Sequence, residues 1–161
     1  AIMTLLERYL HEAVERVTRD GIRMQFFGEI SQLSPALQNL AAHIEAISEK
    51  NDGCQVNLCI NYGGRDEILR GVRAYGEACA RGEAPELTEA VFSGYLYSAG
   101  IPDPDLLIRP GGEKRLSNFL LWQTAYAEFY STDVLWPDFG PADLDAALAA
   151  FQNRERRYGG V

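Results

Sequence analysis

The residues best suited to chemistry stand together in the second half of the chain. Arg109, Lys114, Arg115 and Ser117 surround the turn Pro110-Gly111-Gly112. Arginines present a planar fork of donors that matches phosphate oxygens, and glycines let a backbone approach a ligand closely. A short basic cluster is ordinarily a solvated loop. This chain, however, carries a formal net charge of −8, so a local positive island needs a reason. An anionic, phosphorylated ligand is the better reading. Glu128 follows among Tyr126, Ala127, Phe129 and Tyr130, an apolar setting where an unpaired carboxylate is costly. Two readings stay open for it. It meets an arginine, or it binds Mg²⁺, whose carboxylate-plus-diphosphate coordination suits phosphate-binding arginines. A second basic cluster, Arg154-Glu155-Arg156-Arg157-Tyr158-Gly159-Gly160, ends the chain. It is either a frayed charged tail or, given its aromatic residue and glycines, an ordered end that docks against something.

The elements that must position these residues follow from apolar spacing. Ile2, Leu5, Leu6, Tyr9, Leu10, Ala13, Val14 and Val17 form one helical stripe, closed by Asp20-Gly21. A strand is expected over 22–27, ended by Gly28. Ser34-Pro35 caps and starts a helix that buries Leu37, Leu40, Ala41, Ile44 and Ile47. Residues 54–60 read as a strand running into Asn61-Tyr62-Gly63-Gly64-Arg65, a glycine turn feeding a helix over 65–81. That helix is expected to bury Ile68, Leu69, Val72, Tyr75 and Cys79. A short helix over 87–96 comes next, then a buried strand at Leu106-Leu107-Ile108 ending on Arg109. A last strand is expected at 133–136, and a terminal helix after Gly140-Pro141 with Leu144, Ala147, Leu148 and Phe151 inward. Helices alternating with strands mean an α/β fold with a largely parallel central sheet flanked by helices. Ligands bind beyond the carboxyl ends of such strands, and the turns at Gly28, Gly63-Gly64 and Gly111-Gly112 are expected on that rim.

Bulk properties narrow the field. At 161 residues, 47% hydrophobic and 24% charged, the chain is expected to be one domain over 1–161 with a real core. Its acidic balance argues against general nucleic-acid binding. Three cysteines without a C-x-x-C spacing read as reduced thiols of a cytoplasmic protein. There is no Walker P-loop, no G-x-G-x-x-G, no D-D-x-x-D and no H-E-x-x-H. His11 and His43 read as solvated or capping residues.

Several blocks in order resemble the cis-prenyltransferases, the family of undecaprenyl diphosphate synthase. They are Asn61-Tyr62-Gly63-Gly64-Arg65, the run from Arg109 through Gly111-Gly112-Glu113 to Arg115-x-Ser117-Asn118-Phe119, Trp122-Gln123 through Ala127-Glu128, Trp136-Pro137-Asp138, and Arg154-Glu155-Arg156-Arg157. The resemblance implies condensation of isopentenyl diphosphate with an allylic diphosphate, such as farnesyl diphosphate, in the presence of Mg²⁺. The product would be a cis-polyprenyl diphosphate for a carrier lipid. It implies isopentenyl diphosphate on Arg109, Arg115 and Ser117, and Mg²⁺ on Glu128. It also implies a homodimer in which Arg157-x-Gly159 reaches the neighbour's diphosphate. A cytoplasmic protein is expected, with peripheral membrane contact through the lipid product open to it. Ile22, Met24, Phe26 and the first helix's stripe are candidates for a tunnel wall, or simply core.

One departure matters. The family's Asp-Gly-Asn-x-Arg-Trp and Phe-Ser-x-x-Asn-Trp motifs do not occur, and the chain opens inside a helical pattern without an initiator methionine. The catalytic aspartate is therefore expected upstream, in a parent protein that is a complete enzyme, and these 161 residues alone are expected not to turn over. The alternative is a non-catalytic partner subunit of the same fold. Retention of Arg109, Arg115, Ser117 and Glu128 speaks against it.

Overall fold

The computed structural model describes residues 2–153. They form two compact units that part between Ala99 and Gly100.

In the first unit α1 (Ile2–Arg19) is followed by β1 (Arg23–Phe27), α2 (Pro35–Ser48), β2 (Gln55–Cys59), α3 (Gly64–Ala80) and α4 (Glu89–Ser93). The strands β1 and β2 pair in parallel, from Arg23 opposite Gln55 to Phe27 opposite Cys59. Leu10 and Val17 of α1, Leu37, Leu40, Ala41 and Ile44 of α2, and Met24 and Phe26 of β1 make one buried core. Helix α2 starts where Ser34 accepts the Leu37 amide and Pro35 occupies the first turn, a position that needs no N–H. Asn51 then ties the unit's turns together, its side-chain amide donating to the carbonyls of Val17 and Ile22, both at 2.8 Å.

In the second unit β3 (Leu106–Arg109) pairs in parallel with β4 (Glu128–Ser131), and α5 (Pro141–Gln152) follows a 3-10 turn at Trp136–Asp138. The α5 start is fixed by the Gly140 amide donating to Asp143 Oδ2 at 2.8 Å.

The α/β class with parallel strands flanked by helices is as expected, although the strands pair two by two. Several boundaries and faces differ. The last strand is at 128–131, not 133–136, because the aromatic run around Phe129 and Tyr130 suits a pleated surface while Pro137 enters a 3-10 turn. The helix expected over 87–96 is the five residues of α4, capped by Thr88. In α3, Leu69, Val72 and Cys79 are exposed, and Glu67, Gly71 and Ala78 are buried instead. Gly71 explains the rotation. A Cβ there would lie 3.2–3.3 Å from Leu96 and Phe92, so the helix makes its close approach through this glycine. Leu5 and Tyr9 of α1, Ile47 of α2, and Leu144 and Leu148 of α5 also face outward, against expectation. In α2 the inward place falls to Ser48, whose hydroxyl accepts the Met24 amide at 3.1 Å. Among the described residues no helix is long and apolar enough to cross a membrane.

Candidate functional site

Strand β3 delivers Arg109 to its carboxyl end, opposite Ser131. The chain then turns through Gly111 and Gly112, both with positive φ (89° and 74°), a region that favours glycine. Their amides donate to the carbonyls of Val134 and Thr132, each at 2.8 Å. These two donors therefore fasten the turn to the segment after β4. A Cβ on Gly112 would also crowd Asp133 Oδ1 at 3.1 Å. The cations are arranged by the loop itself: Arg109 donates to the Arg115 carbonyl, and Arg115 pairs with Glu113 at the surface.

Just beyond, Ser117, Asn118 and Leu120 all hold positive φ (48°, 67° and 43°). Left-handed conformations at non-glycine residues cost of the order of 1–3 kcal/mol each and gather at sites where a loop must present groups in a fixed way. Three within four positions, in an exposed loop bearing Arg115 and Ser117, mark this loop as the candidate anion site. Behind it lies a cavity of about 230 Å³ with Leu107, Leu116, Thr124 and Phe129 in its wall and Lys114 at its side.

Glu128 is placed differently from the cations. It opens β4, half-buried, in register with Leu106, and its amide donates to the Asp105 carbonyl at 2.9 Å. Arg109 lies three register positions further, which is about 10 Å along the strands and on the alternate face of the pleat. Asp105, which sequence reasoning passed over, is thereby set beside Glu128. Arg157 and Gly159 lie outside the described residues.

In the first unit the carboxyl ends of β1 and β2 form a rim. Beyond Phe27 and Cys59 the two strand ends are laced together. Asn61 (φ 49°) donates through Nδ2 to the Glu29 carbonyl at 3.1 Å and to Gln32 Oε1 at 3.2 Å, and its own carbonyl accepts the Glu29 amide at 3.1 Å. Gly28 is required here, since a Cβ would stand 2.1 Å from the Ile60 carbonyl oxygen. Glu67, only 1% exposed, accepts the Tyr62 hydroxyl at 2.5 Å and the Tyr97 amide at 2.8 Å. The Arg70 guanidinium lies 4.0 Å over the Tyr97 ring centroid. Burial pushes the Tyr97 hydroxyl upward, against the pull of Arg70. Sequence reasoning recognised the Asn61–Arg65 turn but missed Glu67, whose only signal was an acidic residue four positions before Gly71 on the packed face.

Comparison with known proteins gives a consistent answer. Residues 1–159 match the prenyltransferase family model described as undecaprenyl diphosphate synthase. An isoprenyl transferase of Clostridium perfringens is 40% identical over 163 aligned residues, covering 100% of this chain and 64% of that protein. A ditrans,polycis-undecaprenyl-diphosphate synthase of Pectobacterium atrosepticum, described as specific for (2E,6E)-farnesyl diphosphate, is 44% identical with the same coverage. The crystal structure of lavandulyl diphosphate synthase from Lavandula x intermedia, in complex with dimethylallyl diphosphate, superposes with a TM-score of 0.93 at 39% identity. It covers 98% of this chain and 70% of that one. The chain thus spans about two thirds of the length of the curated relatives it matches, 64% for both named here.

Proposed function

The chain belongs to the undecaprenyl diphosphate synthase family of prenyltransferases, and from that membership we propose that it carries the isopentenyl diphosphate site of a cis-prenyltransferase. The parent enzyme extends an allylic diphosphate, such as farnesyl diphosphate, by isopentenyl units with cis double bonds and releases diphosphate. The observation that carries this reading is the strained, cationic loop from Arg109 to Leu120.

Arg109 and Arg115 supply the charge and the planar donors for the diphosphate, and Ser117 adds a hydroxyl donor. The carbonyl contact from Arg115 to Arg109 aims the Arg109 side chain over the turn before substrate arrives, which lowers the ordering cost of binding. Glu128 is the carboxylate for Mg²⁺. The residue present fits that ion in one respect: Glu128 is a half-buried carboxylate oxygen donor at the start of β4. Mg²⁺ is commonly held by one or two carboxylates together with substrate phosphates. Bound there, it would neutralise charge on the diphosphate. Glu128 stands at the amino end of β4 and Arg109 at the carboxyl end of β3, about 10 Å apart along the strands, so a diphosphate on Arg109 is not set against Glu128 by this register alone. A second copy of the chain, contributing Arg157 and Gly159, belongs to the same reading, as does a cytoplasmic enzyme that touches membrane through its lipid product.

Calorimetric titration of the full chain with isopentenyl diphosphate, against inorganic phosphate, tests the assignment. Preferred binding of the isopentenyl compound, weakened in Arg115→Ala, is expected. Equal affinity for both ligands would overturn it.

A further inference from the structure

The rim of the first unit holds a cavity that the reading above does not use. It has a volume of about 350 Å³ and lies wholly within residues 28–97. Its wall includes Asn61, Gly63, Asp66, Arg70, Arg73 and Tyr97. Room on this scale suits a small ligand.

Arg70 is the feature that points to the ligand's chemistry. Its guanidinium is held on one side by the Tyr97 ring, and Nη2 donates to the Tyr95 carbonyl at 3.2 Å. Its Nε is buried with no protein acceptor. A guanidinium stacked and hydrogen-bonded in place has already lost most of its rotamer freedom, so binding an acceptor-rich ligand costs it little more order. Arg73 follows at i+3, on the same side of α3, and is exposed.

The carboxylates in the wall do not contradict an anion. Glu67 is occupied by Tyr62 and Tyr97, and Glu29 accepts the Ser31 hydroxyl. Together with Asp66 they are three carboxylates against two arginines and outweigh the long-range attraction of the arginines. Affinity must therefore come from directed bonds at Arg70 and Arg73, and it should be modest.

We propose that this cavity is an anion site for a phosphate-bearing ligand, held by Arg70 as its pre-set donor and Arg73 as its exposed one. Every residue named in its wall belongs to the first unit.

The test uses the full chain carrying Arg109→Ala and Arg115→Ala, so that the other cationic loop is silent, and titrates it with inorganic diphosphate. Binding persists in this background. Adding Arg70→Met, which keeps the stem but removes the fork, weakens it by about tenfold or more, and Arg73→Met by about threefold. Near-UV circular dichroism checks that Arg70→Met folds. If it does not, the exposed Arg73→Met decides the matter alone. Absence of diphosphate binding in the double-alanine background overturns the proposal, and so does affinity unchanged by the methionine substitutions that fold.

Discussion

The buried carboxylate of Glu67 accepts the backbone amide of Tyr97 at 2.8 Å, across 30 residues of sequence. Its other oxygen takes the Tyr62 hydroxyl, so one side chain fixes both the glycine turn after β2 and the segment that follows α4. Removing it leaves two partly buried donors without their acceptor. Glu67→Ala should cost about 2–4 kcal/mol of stability, read as a lower midpoint in urea. Glu67→Gln should cost less, because its carbonyl oxygen still accepts one of the two bonds. An alanine variant with an unshifted midpoint would show that these bonds contribute nothing.

The Arg109 loop and Glu128 can be separated by their dependence on metal. Arg109→Ala should weaken isopentenyl diphosphate binding by about a hundredfold, as expected for a charged bidentate partner, and Arg115→Ala by about tenfold. Both losses should appear with or without Mg²⁺. Glu128→Gln keeps the shape and removes the charge. It should abolish only the part of the affinity that Mg²⁺ adds, so that mutant and wild type agree once EDTA is present. Wild-type affinity for Glu128→Gln in Mg²⁺ would exclude this carboxylate as the ligand.

Much of this arrangement was legible from residue types, and the exceptions have physical causes. Ser34-Pro35 and Gly140-Pro141 are local signals, and α2 and α5 begin at them. The Arg109 loop was visible as cations on a glycine turn. Three features were not visible. Gly71 rotates α3 so that Leu69 and Val72 face outward, because a bare backbone can approach Phe92 and Leu96 more closely than a side chain permits. The amides of Gly111 and Gly112 are engaged by Val134 and Thr132, a tertiary pairing that composition does not encode. Glu67 lies where an acidic residue reads as solvated, and its burial depends on two partners 5 and 30 positions away.

Cys59 should behave differently from the other two cysteines at alkaline pH. Burial in β2, with the Glu67 charge nearby, pushes its thiol up from 9.0 to about 11, whereas Cys54 and Cys79 are exposed. At about pH 9.5 iodoacetamide should therefore label Cys54 and Cys79 well before Cys59, since the thiolate is the nucleophile. The linkage has a definite sign. The unfolded thiol ionises first, so the contribution of Cys59 to stability is whole below pH 9.0 and is lost as pH rises towards about 11. Cys59→Ala should flatten that fall. Equal labelling of all three cysteines in the folded protein would refute the burial argument.

Two glycines make opposite predictions from the same substitution. Gly28 has φ 124°, and a Cβ there would sit 2.1 Å from the Ile60 carbonyl oxygen, a backbone atom that cannot turn aside. Gly28→Ala must therefore pull β1 and β2 apart at the rim, with a loss of about 3 kcal/mol or more. Gly76 lies inside α3, exposed, with nothing within 4 Å of the position a Cβ would take. Gly76→Ala only restricts the unfolded chain and improves helix propensity, so it should gain about 0.5–1 kcal/mol. Thermal melts of the two variants beside the parent read both signs at once. A destabilised Gly76→Ala would mean that this face of α3 is covered in solution, and a neutral Gly28→Ala would mean that the strand ends are not laced as described.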